Sequence, residues 1–191
     1  MYMKRIVLVL VLLLAGTSLI MATDTLTYGM QPSRNESSIF DLGIVTMVPY
    51  RDISSGEFSN YMPGVRMQFN IRPWFGLVTD IQARSFDFDT QYFRLIATLS
   101  PVVRAILGPV EPYLGIGTSY GIILDAGTIT SMAPAFRLNV RSGINFKILK
   151  WLSVGAEGNV WTSDPVDFIK NFTGDLLLDH LDVGVNVTFR F

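Results

Sequence analysis

The single histidine of the sequence lies two residues from a carboxylate, a spacing that could support acyl-transfer chemistry. His180 and Asp182 flank Leu181, and residues two apart on a β-strand share one face. A histidine paired with a carboxylate can activate a nucleophile as a general base. No serine stands at a spacing that would complete such a triad, so the pattern favours a structural histidine and predicts no enzyme activity.

A second set of candidate residues consists of charged side chains that alternate with apolar ones. Because such side chains fall on one face of a strand, they predict a polar face that collects charges of both signs. The charges assigned to this face are Arg66, Arg72, Asp80, Arg84, Arg94, Arg137, Arg141, Lys147, Glu157, Asp182 and Arg190.

These candidates must be positioned by strands, since the hydrophobic period is two. The alternation is regular over Val65–Arg72, Phe136–Ile148 and Leu181–Phe191. Weaker segments bring the number of predicted strands to eight, each with about the 9–11 residues that a tilted strand uses to cross a membrane. The weaker segments are Phe40–Tyr50, Leu77–Ser85, Phe93–Val103, Tyr113–Gly121 and Leu152–Trp161.

The connections alternate between short and long, which predicts short turns on one rim and longer loops on the other. Residues 72–75, 104–110 and 149–150 are the short ones, whereas 51–60, 122–131 and 162–177 are long. The connection at Asp89-Thr90 is an exception because it is short on the long-loop side. The pattern predicts an all-β fold, an eight-stranded antiparallel up-and-down transmembrane β-barrel.

A soluble eight-stranded barrel of the lipocalin type would show the same alternation with its faces reversed. The uneven rims and the aromatic residues near strand ends favour the membrane barrel instead. These aromatic residues are Tyr50, Tyr61, Trp74, Phe75, Tyr113, Trp151 and Trp161.

The N-terminus and the composition limit the possible locations and partners. A basic stretch, an apolar run over 6–15 and small residues up to Ala22 predict a signal peptide at 1–22, followed by a single barrel domain at 23–191. The sequence has no cysteine, which rules out disulfides and cysteine-based metal sites. With a net charge of -1 and no basic block, it does not have the charge pattern of a nucleic-acid binder, and no cofactor is expected.

Three stretches, Pro112–Gly117, Gly143–Phe146 and Trp151–Glu157, resemble the small bacterial outer-membrane β-barrel superfamily of OmpA-, OmpX- and OmpW-like proteins. Phe191 and Phe189, with apolar residues at every second position before them, look like the C-terminal signal read by the barrel-assembly machinery. The resemblance implies a bacterial outer-membrane location, contact with outer-membrane lipid, and help from this machinery and periplasmic chaperones. No peptidoglycan-binding domain is expected after the barrel.

An eight-stranded interior is about wide enough to be filled by side chains. The charges of the polar face therefore predict a packed network of ion pairs in the lumen, with a narrow anion-biased pore as the alternative. The glycines at 115, 117 and 121 are expected to make room for bulky side chains on the facing wall.

The segment 162–177 predicts a short amphipathic helix at the outer rim. Asp164 is placed as N-cap, Pro165 as the first helical residue and Gly174 as the stop. Phe168, Ile169 and Phe172 form an apolar cluster that would lie in the headgroup layer, cap the lumen, or contact a solute or partner.

Together these features predict a structural or surface-interacting outer-membrane protein that is not an enzyme. The resemblance leaves open an OmpW-like narrow channel for small solutes and a barrel enzyme that modifies lipid A. The second of these departs from the deacylase type, because His180-Leu181-Asp182 stands where a His-x-Ser arrangement is expected.

Overall fold

The computed structural model describes residues 39–56, 60–87, 92–125 and 127–191. Within these ranges the chain forms eight strands, each paired antiparallel with the next, and β8 pairs with β1 to close a barrel. The all-β up-and-down barrel predicted from the sequence is thereby confirmed. The strands are β1 (Phe40–Pro49), β2 (Met62–Arg72), β3 (Phe75–Asp87), β4 (Tyr92–Arg104), β5 (Val110–Asp125), β6 (Thr128–Leu149), β7 (Leu152–Thr162) and β8 (Leu181–Arg190).

The two faces of the wall follow the alternation in the sequence. Ile44, Val65 and Ile116 face outward and are 65%, 52% and 62% exposed. Arg66, which follows Val65, and Asp80, which lies opposite Arg66 on β3, face the lumen and are 3% and 0% exposed. The barrel thus carries apolar side chains on its outer wall and charges inside it.

The two rims differ in construction. The turn rim joins β2 to β3, β4 to β5 and β6 to β7, and it also carries the two ends of the described barrel, where the Ile39 amide donates to the Phe191 carbonyl at 3.0 Å. Gly108, with φ +67°, takes the left-handed conformation in the β4–β5 turn. The loop rim, at the opposite end, carries three short helices within the described residues.

The expected loop over 122–131 is wrong, because β5 and β6 continue through most of it. The two strands pair up to Asp125 and Thr128, and Gly127 has a φ of +86° beside the last pair. The register of this hairpin shifts between Tyr120 and Ile122, where five steps along β6 lie opposite two steps along β5. Because extra residues in one strand change which residues share a face, the alternation is lost there although the strand continues. The connection at Asp89-Thr90 lies outside the described residues.

The helices of the loop rim are α1 (Tyr50–Ser55), α2 (Pro165–Lys170) and α3 (Gly174–Asp179). The predicted cap is confirmed, since the Asp167 amide donates to Asp164 Oδ1 at 2.9 Å. The predicted stop is wrong: Gly174 begins α3, and the Thr173 hydroxyl accepts from the Leu176 amide at 3.1 Å.

Helix α1 was not predicted, because its segment, Tyr50–Ser55, carries no side-chain N-cap and follows a proline directly. Among the described residues, none of the helices has the length and apolar character needed to cross a membrane.

Candidate functional site

Five side chains from five strands meet in the middle of the lumen and form what we call the central cluster. They are Arg66 on β2, Asp80 on β3, Tyr113 on β5, Arg141 on β6 and Glu157 on β7, and each is 8% exposed or less. Arg66 and Asp80 are direct partners across the β2–β3 pair, whereas Glu157 comes from the opposite wall. The cluster therefore spans the lumen from side to side.

The Arg66 guanidinium holds two carboxylates at once. Its Nε and Nη2 donate to the two oxygens of Asp80 at 2.7 and 2.9 Å. Its Nη1 and Nη2 donate to the two oxygens of Glu157 at 2.8 and 2.6 Å. Arg141 Nη2 donates to Asp80 Oδ2 at 2.7 Å, and the Tyr113 hydroxyl donates to Glu157. Two cations and two anions are thus paired by charge-assisted bonds, which lowers the cost of burying them.

Two glycines provide the space that the cluster occupies. A Cβ at Gly115 would lie 2.6 Å from Val102 Cγ1 and 3.2 Å from Arg141 Cγ. A Cβ at Gly143 would lie 2.5 Å from the Tyr113 hydroxyl oxygen. The expectation that Gly115 makes room for a bulky side chain agrees with this packing.

A second charged group, the turn-rim cluster, lies toward the turns. Glu111 Oε1 accepts from Lys147 Nζ at 2.8 Å, and Arg190 pairs with the same carboxylate. The Arg104 guanidinium donates to the Pro73 carbonyl at 2.8 Å, and Asp41 accepts from Asn70 at 3.1 Å. Sequence analysis missed Glu111 and Arg104 because the predicted strands stopped at Tyr113 and Val103, just short of them.

Apolar residues also face the lumen, in two small groups that the sequence pattern did not predict. Val45, Met47 and Met62 pack together in the half nearer the loop rim, and Val78, Val102 and Tyr113 form a second group. The lumen is therefore filled by both polar and apolar side chains.

A small recess of about 90 Å³ opens at the loop-rim end of the lumen, and we call it the mouth recess. Arg84, Arg137, Asn159, Trp161 and Asp182 contribute to its polar wall. The Arg137 guanidinium carbon lies 4.4 Å from the centroid of the Trp161 ring, a cation–π contact.

The remaining predicted lumen arginines lie away from these groups. Arg94 is exposed near the loop rim, where its Nε donates to the Tyr92 hydroxyl at 2.7 Å. Arg72 is exposed at the turn-rim end of β2.

Two of the aromatic residues near strand ends face the lumen and not the outer wall. Tyr113 is 8% exposed inside the central cluster, and Trp161 lines the mouth recess. Both lie at inward-facing positions of their strands. Proximity to a strand end does not distinguish an inward-facing aromatic residue from an outward-facing one. Tyr50, Tyr61, Trp74 and Trp151 are 36–52% exposed.

His180 is the C-cap of α3 and precedes β8. Its Nδ1 lies 2.8 Å from the Leu176 carbonyl oxygen, and its ring centroid lies 5.1 Å from that of Trp161 and 5.4 Å from that of Phe168. Asp182 instead lines the mouth recess. The histidine therefore holds the end of α3 against the barrel mouth.

The predicted loop cluster is only partly assembled. Phe168 and Phe172 pack edge to face with centroids 5.8 Å apart, whereas Ile169 is 74% exposed.

At the opposite rim Phe191 and Phe189 face outward and are 71% and 40% exposed. Their rings lie 6.4 Å from Phe40 and 6.0 Å from Trp151, respectively, between ring centroids.

No protein-family model and no curated protein matches the chain. Among solved structures, the N-terminal β-barrel domain of Pseudomonas aeruginosa OprF matches with a TM-score of 0.58 at 10% identity, covering 81% of this chain and 98% of that one. The de novo designed TMB2.3 matches with a TM-score of 0.50 at 11% identity, covering 85% and 98%. Neisserial surface protein A gives a TM-score of 0.43 at 14% identity, covering 80% and 94%. The chain has the fold of the small eight-stranded outer-membrane β-barrels.

Proposed function

We propose that this chain is an integral bacterial outer-membrane barrel with a structural or surface-interacting role, and that its lumen is closed. The observation that supports the location is the inverted distribution of polarity. Large apolar side chains such as Phe69, Ile116 and Val185 are 47%, 62% and 53% exposed on the wall, while charges such as Arg141 and Asp80 are buried inside. A soluble ligand-binding barrel would need the reverse arrangement.

Membrane fractionation combined with a heat-modifiability gel tests this location. We expect recovery in the outer-membrane fraction and a mobility that differs between boiled and unboiled samples, because a closed barrel resists detergent until it is heated. Soluble periplasmic recovery would contradict the proposal and favour the lipocalin-like alternative.

The central cluster supports a closed lumen. Arg66 joins carboxylates from two walls, and Tyr113 and Arg141 complete the layer across the interior. Ions passing along the axis would have to separate these pairs, which costs several kcal/mol for buried partners. The arrangement favours a packed scaffold over the narrow solute channel.

Single-channel recording on the reconstituted full chain tests closure. We expect no steady conductance under conditions in which a general porin, reconstituted in parallel, gives clear steps. A reproducible conductance in the wild-type protein would contradict the closed lumen and favour the OmpW-like alternative.

Export and assembly are part of the same proposal. The predicted signal peptide, 1–22, lies outside the described residues. In the folded barrel the rings of Phe189 and Phe191 face outward at the turn rim. Deleting Phe191 should reduce the amount of heat-modifiable protein in the outer membrane, whereas an I169A change on the opposite rim should not. Equal recovery of the two variants would count against the assembly signal.

A catalytic role receives no support from the arrangement of His180, because its ring nitrogen faces the Leu176 carbonyl. Mass spectrometry of lipid A from cells with the wild-type or the H180A protein should give identical acylation profiles. A difference between the profiles would favour the lipid-modifying alternative.

A further inference from the structure

The mouth recess contains two arginines that are not matched by carboxylates in the way that three deeper arginines are. Arg66, Arg141 and Arg190 each form an ion pair within the barrel. Among the described residues, no ion pair within 4.0 Å engages Arg84 or Arg137, although both line the recess. Both side chains line the same recess, so their positive charges act on one small volume.

The position of Arg84 has a backbone cause. The β3–β4 register shifts between Ala83 and Ser85, which leaves Arg84 as the extra residue of a bulge. Bulges redirect a side chain and are common at barrel rims and beside binding sites. Arg84 is exposed at the recess, so its donors are accessible from the loop rim.

Arg137 is fixed from another direction. Its guanidinium lies over the Trp161 ring, and His180 packs against the same tryptophan with centroids 5.1 Å apart. A guanidinium in a cation–π contact can still donate its N–H groups to an oxyanion. The two arginines therefore present their donors to one small volume from two different walls.

The nearby carboxylates do not neutralise this pair. Asp179 also lines the recess but is paired with Arg51 on α1, and Asp52 accepts a hydrogen bond from Asn60 at 2.8 Å. Asp182 lies in the same wall, and no ion pair within 4.0 Å joins it to either recess arginine among the described residues. Two cations thus face one carboxylate in the polar wall.

The recess also contains an acceptor without a protein partner among the described residues. Asn159 Oδ1 is buried and makes no hydrogen bond there, and Asn159 pairs with Asp182 across β7 and β8. A ligand that carries a hydrogen-bond donor beside its negative charge would pair with the two arginines and with Asn159 Oδ1. The hydroxyl of a protonated phosphate is such a donor.

We propose that the mouth recess binds a compact oxyanion, a phosphate group of a small aqueous solute, through Arg84 and Arg137, with Asn159 accepting from its hydroxyl. The lining residues face the lumen, so the solute enters from water at the loop rim and not from the bilayer. The volume of about 90 Å³ admits one such group. This inference depends on the closed barrel and not on its membrane location.

Equilibrium dialysis of radiolabelled inorganic phosphate against the detergent-solubilised full chain tests the site, with ionic strength kept constant by chloride. We expect saturable binding of one equivalent. R84Q and R137Q should each weaken it by about tenfold or more, since each removes a charged hydrogen-bonding partner. R94Q is the matched control, because Arg94 is also an exposed rim arginine but lies outside the recess.

Trp161 provides a second readout, since the other two tryptophans, Trp74 and Trp151, can be replaced by phenylalanine. In that background phosphate should change the Trp161 fluorescence with the same midpoint as in dialysis, and R84Q should shift the midpoint without touching the fluorophore. Each variant must first show the wild-type heat-modifiability shift. Non-saturable binding, or equal losses in R94Q and R84Q, would overturn the proposal.

An experiment in lipid nanodiscs distinguishes a phosphate group of a dissolved solute from the phosphate of a lipid headgroup. Nanodiscs containing phosphatidic acid expose a phosphate headgroup, whereas phosphatidylglycerol nanodiscs of equal charge do not expose a terminal phosphate. We expect the same phosphate affinity in both. Weaker binding in phosphatidic acid would show that lipid headgroups occupy the site and would overturn the assignment to an aqueous solute.

Discussion

The centre of the lumen and its mouth both contain arginines and carboxylates, but the two regions differ in how their arginines are buried and paired. At the centre, Arg66 and Arg141 are nearly inaccessible and bonded to Asp80 or Glu157. At the mouth, Arg84 is exposed on a bulge without an ion pair among the described residues. A buried charge must be paired or hydrogen-bonded, whereas a charge near water needs no partner. Depth in the barrel thus separates residues that stabilise the fold from residues that remain available to a ligand.

The largest effect is expected from removing the carboxylate that both central arginines share. D80A leaves Arg66 and Arg141 without Asp80 and should destabilise the barrel by about 3–5 kcal/mol, the usual cost of breaking a buried pair. Urea unfolding in lipid vesicles, followed by tryptophan fluorescence, measures it. The matched mouth variant R84A should change stability by at most about 0.5 kcal/mol. Similar losses in the two variants would contradict the comparison.

A charge on the outer wall tests the same dependence on depth from the lipid side. V185R should cost about 2–4 kcal/mol if residue 185 lies near the bilayer midplane. The control is I169R on α2, whose side chain is 74% exposed at the loop rim and should tolerate the charge. Unfolding in the same vesicles compares them, and a tolerated V185R would argue against a lipid-facing wall at this residue.

A smaller effect is expected from filling the space beside the central cluster. G143A places a Cβ 2.5 Å from the Tyr113 hydroxyl oxygen and should move this ring away from Glu157, at a cost of about 1–3 kcal/mol. G174A on α3, where no atom lies within 4 Å of the added Cβ, is the control and should be close to neutral. Unfolding midpoints that shift equally would show that the centre is not tightly packed.

The smallest effect should come from the loop rim itself. D164A removes the side chain that accepts from the Asp167 amide and should destabilise α2 by about 1 kcal/mol. Hydrogen exchange should show faster exchange in α2 while the amides of β7 stay protected. A loss of protection throughout the barrel would mean that the rim and the wall unfold together.

The barrel can be predicted from the sequence because the alternation that defines its two faces is a property of each strand alone. Alternation along one strand places Val65 outside and Arg66 inside without any knowledge of the partner strand. The top of the β5–β6 hairpin could not be predicted in this way, since extra residues of β6 opposite Tyr120 and Ile122 interrupt the period.

The central cluster was predictable only in part. Arg66 and Asp80 are neighbours across a tight hairpin, so their pairing follows from the register of that turn. The bonds from Arg66 to Glu157 join residues 91 positions apart across the lumen, and periodicity contains no information on that distance. Which arginines stay unpaired is likewise a property of the closed barrel and not of any one strand.

The pairing of β1 with β8 has a consequence for the order of folding. Asp41 lies opposite Arg190 and Pro49 opposite Asp182, so the seam joins the first and last strands of the described barrel. Contacts between distant parts of a chain form slowly, because a long loop must be closed before they contribute any stability. Hairpins such as β2–β3 can form early, but β1 can pair with β8 only after β8 has formed. Until then, the edges of β1 and β7 are open to the wrong partner.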